Sequence, residues 1–190
     1  HKRYEEFYGA HLSDQIGWKI PQMYDAALDG RLKAMWIMGE DLAQTDPNTE
    51  HVKKALNSLE FLVVQEIFMS ETAKFANVVL PGASFFEKSG TFTNGERRVQ
   101  RVNEVIPPLA GTKTDGQIVV DIMNRMGIPQ PDYTPDGVLA EIARVVPFFK
   151  GAVWEKLGDN GKQWPITEGC EGTEILHTET FKRGLGKFHF

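Results

Sequence analysis

Three short apolar runs, spaced so that helical segments fit between them, constrain this chain more than any other feature. Ala34-Met35-Trp36-Ile37-Met38 stops at Gly39-Glu40-Asp41, Phe61-Leu62-Val63-Val64 stops at Gln65-Glu66, and Asn77-Val78-Val79-Leu80 stops at Pro81-Gly82. Runs of this length without alternation read as strands covered on both faces, as in a parallel sheet. Between the first two, Val52, Ala55, Leu56 and Leu59 recur at helical spacing, and Glu71 to Ala76 is a short helical piece before the third. Strand, helix, strand, helix, strand predicts an α/β fold with a doubly wound, mostly parallel sheet flanked by helices.

The flanking segments extend this frame. Tyr4, Phe7, Tyr8, Leu12 and Ile16 have a rough helical spacing broken by Gly9, and Pro21 opens a second helix that Gly30 is placed to end. Residues 82–112 hold few apolar runs and predict a long loop with a short hairpin; a loop that long in a compact domain is usually functional. A helix over 115–126 puts Ile118, Val119, Ile122, Met123 and Met126 on one face and stops at Gly127. Another starts at Thr134-Pro135 and ends before Pro147. Beyond it the chain is polar and rich in glycine. The predicted division is therefore an α/β domain over 1–150 and an irregular extension over 151–190. That extension is expected to pack poorly, leaving Trp154, Trp164, Phe181 and Phe188 outside any core.

Composition removes several classes of function. Apolar residues make up 41% of the 190, enough for a core, and 26 acidic against 21 basic residues argue against a nucleic-acid surface. The cluster of Arg97, Arg98 and Arg101 is too small to change that. No apolar run approaches the roughly 20 residues needed to span a bilayer. The chain opens His1-Lys2-Arg3-Tyr4 with neither an initiator Met nor a signal-peptide pattern, as a processed or truncated chain would, and the cytoplasm is the favoured compartment. Its one cysteine, Cys170, cannot form an internal disulfide, an iron–sulfur site or a thiolate zinc site. Set between Glu168 and Glu171, it reads as a surface or loop cysteine and not a nucleophile. The histidines His1, His11, His51, His177 and His189 are scattered, with no paired ligand spacing and no nucleophile elbow elsewhere. No catalytic residue and no protein metal ligand is assigned.

In an open parallel sheet, ligands bind outside the carboxyl ends of the strands. Polar residues gather at all three predicted ends: Gly39-Glu40-Asp41 with Gln44-Thr45-Asp46, then Gln65-Glu66, then Pro81-Gly82-Ala83-Ser84, with Asp115 opening a later helix. Such a rim of acceptors and amide donors suits a purine or pterin edge, because guanine offers N1–H and a 2-amino group to a carboxylate. Asp115 also fits a helix cap, and Thr45-Asp46-Pro47 also fits a plain turn. Gln65, polar directly after a buried run, needs a partner or a ligand for its amide.

These strand ends resemble the molybdopterin oxidoreductases. The stretch WIMGEDLAQTDP over residues 36–47 is similar to that family's G-E-D/N-P-x-x-T/S-D segment. VVQEIFMSETA over 63–73, running to ANVVLP over 76–81, follows it, and EKSGTFTNGERRVQ over 87–100 is the family's G-T-x-T-N-x-E-R-R-x-Q signature. KTDGQIVVDIMNRMG over 113–127 closes the match. The resemblance covers about residues 20–150 and is most like the catalytic subunit of formate dehydrogenases. Nitrate reductases and the large subunit of respiratory NADH dehydrogenase share the frame.

The resemblance implies a Rossmann-like cofactor-binding domain, a molybdopterin guanine dinucleotide with molybdenum or tungsten, and a 4Fe-4S cluster. It implies oxidation of formate to carbon dioxide with transfer of two electrons. The family's metal-ligating residue, active-site His and Arg, and cluster cysteines have no counterpart in this chain, which is expected to be an internal fragment, inactive alone. Its expected partners are the remaining domains of the parent subunit and electron-transfer subunits. Carried over position by position, Asp41 and Thr45 fall on the first strand-end loop, Gln65 on the second, Gly82 on the third, and Asp115 at the later helix start. These are the expected contacts to one guanine dinucleotide arm. Leu42 stands where the family commonly has Pro, and Gly82 where some relatives have Ser. Within the 87–100 signature, Thr93 and Asn94 are candidates to line the pterin or substrate approach, and Glu87 or Glu96 is expected to pair with Arg97 or Arg98 to fix the loop. A non-catalytic structural domain of a respiratory complex and a free-standing nucleotide-binding module are the competing readings.

Overall fold

The computed structural model describes residues 1–179, 181 and 184, and the chain divides into two compact units. The first comprises His1, Ala10–Lys88 and Glu104–Tyr133; the second comprises Lys2–Gly9, Ser89–Asn103 and the chain from Thr134 onward.

The first unit is built on the three predicted strands, β1 (Ala34–Met38), β2 (Phe61–Glu66) and β3 (Val78–Pro81), which form a parallel sheet in the order β1-β2-β3. The expected mixed α/β fold with a parallel sheet is therefore present. Helix α2 (Ile20–Leu28) begins at the predicted proline and ends before Gly30, whose φ of 78° suits a residue without a side chain. A four-residue helix α3 (Leu42–Thr45) and a longer α4 (Thr49–Ser58) connect β1 to β2. The core joins Tyr24 and Ala27 of α2, Val52 and Leu56 of α4, and Leu62 and Val64 of β2. Two-sided cover holds for central β2, where Leu62, Val64 and Gln65 are all buried, but not for β1. There only Ile37 is buried, while Trp36 and Met38 are 39% and 44% exposed, because β1 is an edge strand of this sheet. The expected helix over 71–76 contracts to a single 3-10 turn, Ala73–Phe75. Helix α5 (Asp115–Arg125) is capped by Thr114, whose Oγ1 accepts from the Gln117 amide at 3.3 Å.

The second unit contains the hairpin predicted within the long loop. β4 (Gly90–Thr93) and β5 (Arg98–Val102) pair antiparallel, and β6 (Lys162–Gln163) adds to β5. Helix α1 (Lys2–Tyr8) stops at Gly9, so the helical spacing read through Ile16 does not continue. Helix α6 (Pro135–Val145) starts as predicted, its Thr134 Oγ1 accepting from Gly137 N at 3.2 Å.

The expected division at residue 150 is corrected here. Ala152, Leu157, Ile166 and Cys170 are buried with Val99 of β5 and Leu139 of α6 in one apolar cluster, against which Trp154 and Trp164 pack. The residues after 150 thus complete a core instead of trailing from one. The reason is backbone closure. Gly151 N donates to Ile166 O at 3.0 Å, and Ile166 N donates to Phe148 O at 2.8 Å. A Cβ on Gly151 would fall 1.2 Å from the Thr167 carbonyl oxygen, so the two segments can meet only at a glycine. Arg97 adds side-chain donors to the carbonyls of Trp164, Thr173 and Glu174. Cys170, read as a surface or loop cysteine, is a buried member of this cluster. Phe181 is exposed, as expected, and Phe188 lies outside the described residues.

Candidate functional site

Register brings the strand ends level. Met38 is opposite Gln65, Gln65 is opposite Leu80, and Gly39 N donates to Gln65 O at 2.9 Å. Because all three strands run the same way, the segments that follow them leave one edge of the sheet, where open α/β folds bind ligands. Three of the five expected site residues meet there directly.

Gln65 is 1% exposed, and its Nε2 donates to Asp115 Oδ1 at 2.7 Å. Asp115 is the first residue of α5, one position after the cap, so the capping role belongs to Thr114 and the Asp115 side chain is free to turn toward the sheet. Its second oxygen, Oδ2, accepts from Lys88 Nζ at 2.5 Å. Burial pushes the Asp115 carboxyl up, but the hydrogen bonds from Lys88 and Gln65 and the charge of Lys88 outweigh it and hold the group below the usual aspartate range. The helix N-terminus favours the same anion. Gln65 Oε1 is buried and has no partner among the described residues.

Gly82 closes this corner. Its N–H donates to Glu66 O at 3.1 Å, and it bridges in parallel to Lys113, which places the start of α5 beside β3. A Cβ at Gly82 would stand 3.4 Å from Asp115 Oδ1 and 3.7 Å from Ile67 Cγ2. A methyl group there would already touch the carboxylate oxygen. Ile67, Phe68 and Phe85, on the loops after β2 and β3, are exposed and give this edge an apolar margin.

Asp41 and Thr45 sit on the first strand-end loop as expected, but their groups are partly committed. Asp41 Oδ1 accepts from Thr72 N at 2.8 Å and Thr72 Oγ1 at 2.7 Å, and Thr72 Oγ1 accepts in turn from Ala43 N at 2.9 Å. Burial pushes the Asp41 carboxyl up; hydrogen bonds from Thr72 and Glu71 and the charge of Lys74 bring it below its ordinary value. Asp41 therefore staples the loop after β1 to the loop after β2. Thr45 Oγ1 donates to Asp41 O at 3.1 Å and remains exposed. Asp46 receives the Tyr24 hydroxyl, and burial followed by that bond pushes the phenol well up.

Of the pairings expected to fix the loop within the 87–100 signature, Glu96 with Arg98 is present, while Glu87 takes other partners. Glu87 is 5% exposed and pairs with no arginine among the described residues; Oε2 accepts from Ser84 N at 2.8 Å and Oε1 from Leu109 N at 2.9 Å. Hydrogen bonds from the Ser84 side chain first, then from the Ser84 and Leu109 amides, hold its carboxyl below the ordinary glutamate value against a smaller opposing effect of burial. Glu96 stands 3.7 Å from Arg98 in a largely exposed pair. Asn94 Oδ1 accepts from the amides of Glu96 and Arg98 within the β4–β5 turn, in the second unit.

Two residues were missed by the sequence reading. Thr72 is buried and serves Asp41; Lys88 serves Asp115. The only signal for Lys88 was its place beside Glu87 in the signature. Among the described residues, no three or more His, Cys, Asp or Glu side chains group as metal ligands.

Residues 6–125 match the family model described as molybdopterin oxidoreductase. The chain is 41% identical over 180 residues to a putative formate dehydrogenase, YrhE, of Bacillus subtilis (strain 168), a match covering 94% of this chain and 18% of that protein. It is 43% identical over 184 residues to F420-dependent formate dehydrogenase 2 subunit alpha of Methanococcus maripaludis, covering 94% of this chain and 27% of that one. The chain thus spans between a sixth and a third of these relatives' length. Among solved structures, acetylene hydratase from Pelobacter acetylenicus superposes with a TM-score of 0.57 at 21% identity, over 74% of this chain and 20% of that one. At that identity the likeness is one of fold.

Proposed function

The chain belongs to the molybdopterin oxidoreductase family, and from that premise we propose that it is part of a formate dehydrogenase catalytic subunit and forms one wall of its pterin-dinucleotide site. The observation that carries this reading is the buried, unpartnered Oε1 of Gln65 beside the ionised Asp115. A buried acceptor left without a donor costs about 1–3 kcal/mol, and a bound heterocycle with a ring N–H, which guanine has and adenine lacks, supplies the missing donor. The residues therefore fit the group that the family implies.

When bound, the molybdenum- or tungsten-carrying pterin supplies the two-electron chemistry of formate oxidation, which a 4Fe-4S cluster and partner subunits relay. This chain's residues bind and orient. Gln65 accepts from the guanine edge of one dinucleotide arm, Asp115 fixes the Gln65 amide, and Gly82 leaves room beside the carboxylate. Asp41 and Thr45 shape the neighbouring loop and present the second Asp41 oxygen and the exposed Thr45 hydroxyl. No residue of this chain is assigned to the reaction, so the chain alone does not oxidise formate. A structural domain that had lost the pterin would have no use for a buried empty acceptor, which disfavours the competing reading.

The test is calorimetric titration of the 190-residue chain with GMP and AMP. GMP should bind and AMP should bind at least about tenfold more weakly, with Gln65→Ala weakening GMP by about 1–3 kcal/mol. Equal affinity for the two nucleotides, or none for either, removes the proposal.

A further inference from the structure

We propose that Lys88 is a positioning residue for this site: by holding Asp115 as a carboxylate, it decides which end of the Gln65 amide faces the ligand, so that the site offers an acceptor and selects a heterocycle that donates. The inference rests on the cofactor-wall reading above and adds to it a residue outside the predicted set.

The geometry is a chain of three side chains within the sheet unit. Lys88 Nζ lies 2.5 Å from Asp115 Oδ2, and Asp115 Oδ1 lies 2.7 Å from Gln65 Nε2. Lys88 is itself largely shielded, its side chain 20% exposed. An ionised carboxylate has no proton to give and can only accept. The amide nitrogen of Gln65 must therefore face Asp115, and its oxygen must face away. That oxygen is the buried atom without a partner. A protonated Asp115 would lift that constraint, because it can donate as well as accept. With the amide turned over, its O–H donates to Gln65 Oε1 and the site presents N–H donors instead of an acceptor.

Lys88 controls which state holds. The groups that meet Asp115 come from three places. The loop after β3 brings Lys88, β2 brings the uncharged Gln65, and the segment after α5 brings Tyr133. Burial and the nearby Asp115 both push the Tyr133 phenol up, so it stays neutral and adds no charge. Among the described residues, Lys88 is thus the only cation bonded to Asp115. Burial pushes the Asp115 carboxyl up and Lys88 opposes it. Without that ammonium, Asp115 protonates at a higher pH, and the acceptor is lost as pH falls.

The test compares the 190-residue chain with its K88M, K88R and Q65A variants, using GMP as the probe. Two quantities are measured between about pH 5 and pH 8, a range above the ordinary aspartate value: the affinity for GMP, and the 1H–15N resonances of the Gln65 side-chain amide. Wild type and K88R should bind GMP with one shared pH profile, set by the ligand phosphate, whose second ionisation falls at about pH 6. Relative to that profile K88M should bind about tenfold more weakly, increasingly so toward low pH, with the Gln65 resonances moving in step. K88M with wild-type affinity, the wild-type profile and unmoved Gln65 resonances overturns the role of Lys88 while leaving the cofactor wall standing. A wild-type chain that does not bind GMP, or a Q65A chain that binds it undiminished, overturns the wall and this inference with it. If K88M does not fold, wild type decides alone. Its Gln65 resonances should titrate only below the ordinary aspartate range, and a transition above that range overturns the proposal.

Discussion

In the sheet unit, Asp41 turns onto Thr72, Glu87 onto the amides of Ser84 and Leu109, and Asp115 onto Gln65 and Lys88. The three buried polar side chains among the described residues, Gln65, Thr72 and Glu87, all belong to this unit. In the hairpin unit, the buried cluster of Val99, Leu139, Ala152, Leu157, Ile166 and Cys170 carries no charged side chain and is closed by backbone hydrogen bonds and Arg97. The contrast separates two ways of ordering irregular chain. At the edge we propose for a ligand, collapse onto apolar contacts would close the opening, and fixed carboxylates brace one loop against the next. Where no such opening is needed, apolar burial and close backbone approach suffice. Apolar packing tolerates acid and fails with steric change; carboxylate bracing does the reverse.

The largest expected effect tests the apolar side of this contrast. Gly151→Ala places a methyl group on the Thr167 carbonyl and should cost about 3 kcal/mol or more, in the range of severe backbone strain and overpacking. Hydrogen exchange should then show residues 152–170 losing protection while the amides of Leu62 and Val64 in β2 keep theirs. Loss of protection in β2 as well would mean that the two units are not stabilised separately.

An intermediate effect tests the polar side. Thr72→Val keeps the shape but removes the hydroxyl that donates to Asp41 and accepts from Ala43 N. The expected loss is about 2–3 kcal/mol, because a charged group and a backbone amide both lose a partner. Urea denaturation followed by tryptophan fluorescence measures it. A change under about 0.5 kcal/mol, the size of an ordinary surface substitution, would show that Asp41 is not a brace.

The smallest effect is acid sensitivity. Asp41, Glu87 and Asp115 all have folded values held below their ordinary ones. A depressed carboxyl contributes stability that is fully present above its unfolded value, about 4, and that is lost as pH falls through the folded value. Protection of β2 amides should thus decline from about pH 4 downward, earlier than that of the Val99–Ile166 cluster. Parallel decline in both clusters would erase the distinction.

Much of the sheet unit was legible without coordinates. The runs at 34–38, 61–64 and 77–80 became β1, β2 and β3 because short continuous apolar segments between breakers have few other uses. The starts of α2 and α6 were legible because Pro21 and Thr134-Pro135 act locally on the backbone. Gln65 could be singled out because a polar residue ending a buried strand must find a partner. What could not be read was which partner. Asp115 is 50 positions from Gln65, Lys88 is 27 from Asp115, and Thr72 is 31 from Asp41. No periodicity links such pairs. The residues after 150 were misjudged for the same reason, since Leu157 and Ile166 find their core on β5 and α6 and not on neighbours in sequence.

By itself, the sequence determined the strand and helix segments, the polar character of the three strand ends, and the family, because each of these depends on residue type and short-range spacing. Only the tertiary structure decided that Asp41 is spent on Thr72, that Gln65 and Asp115 share one hydrogen bond, that Lys88 stands behind them, and that the glycine-rich tail closes a second core. Those outcomes depend on which side chains the parallel register and the loop closures bring within about 3 Å of one another, the reach of a hydrogen bond, and distant segments acquire that proximity only when the chain is folded.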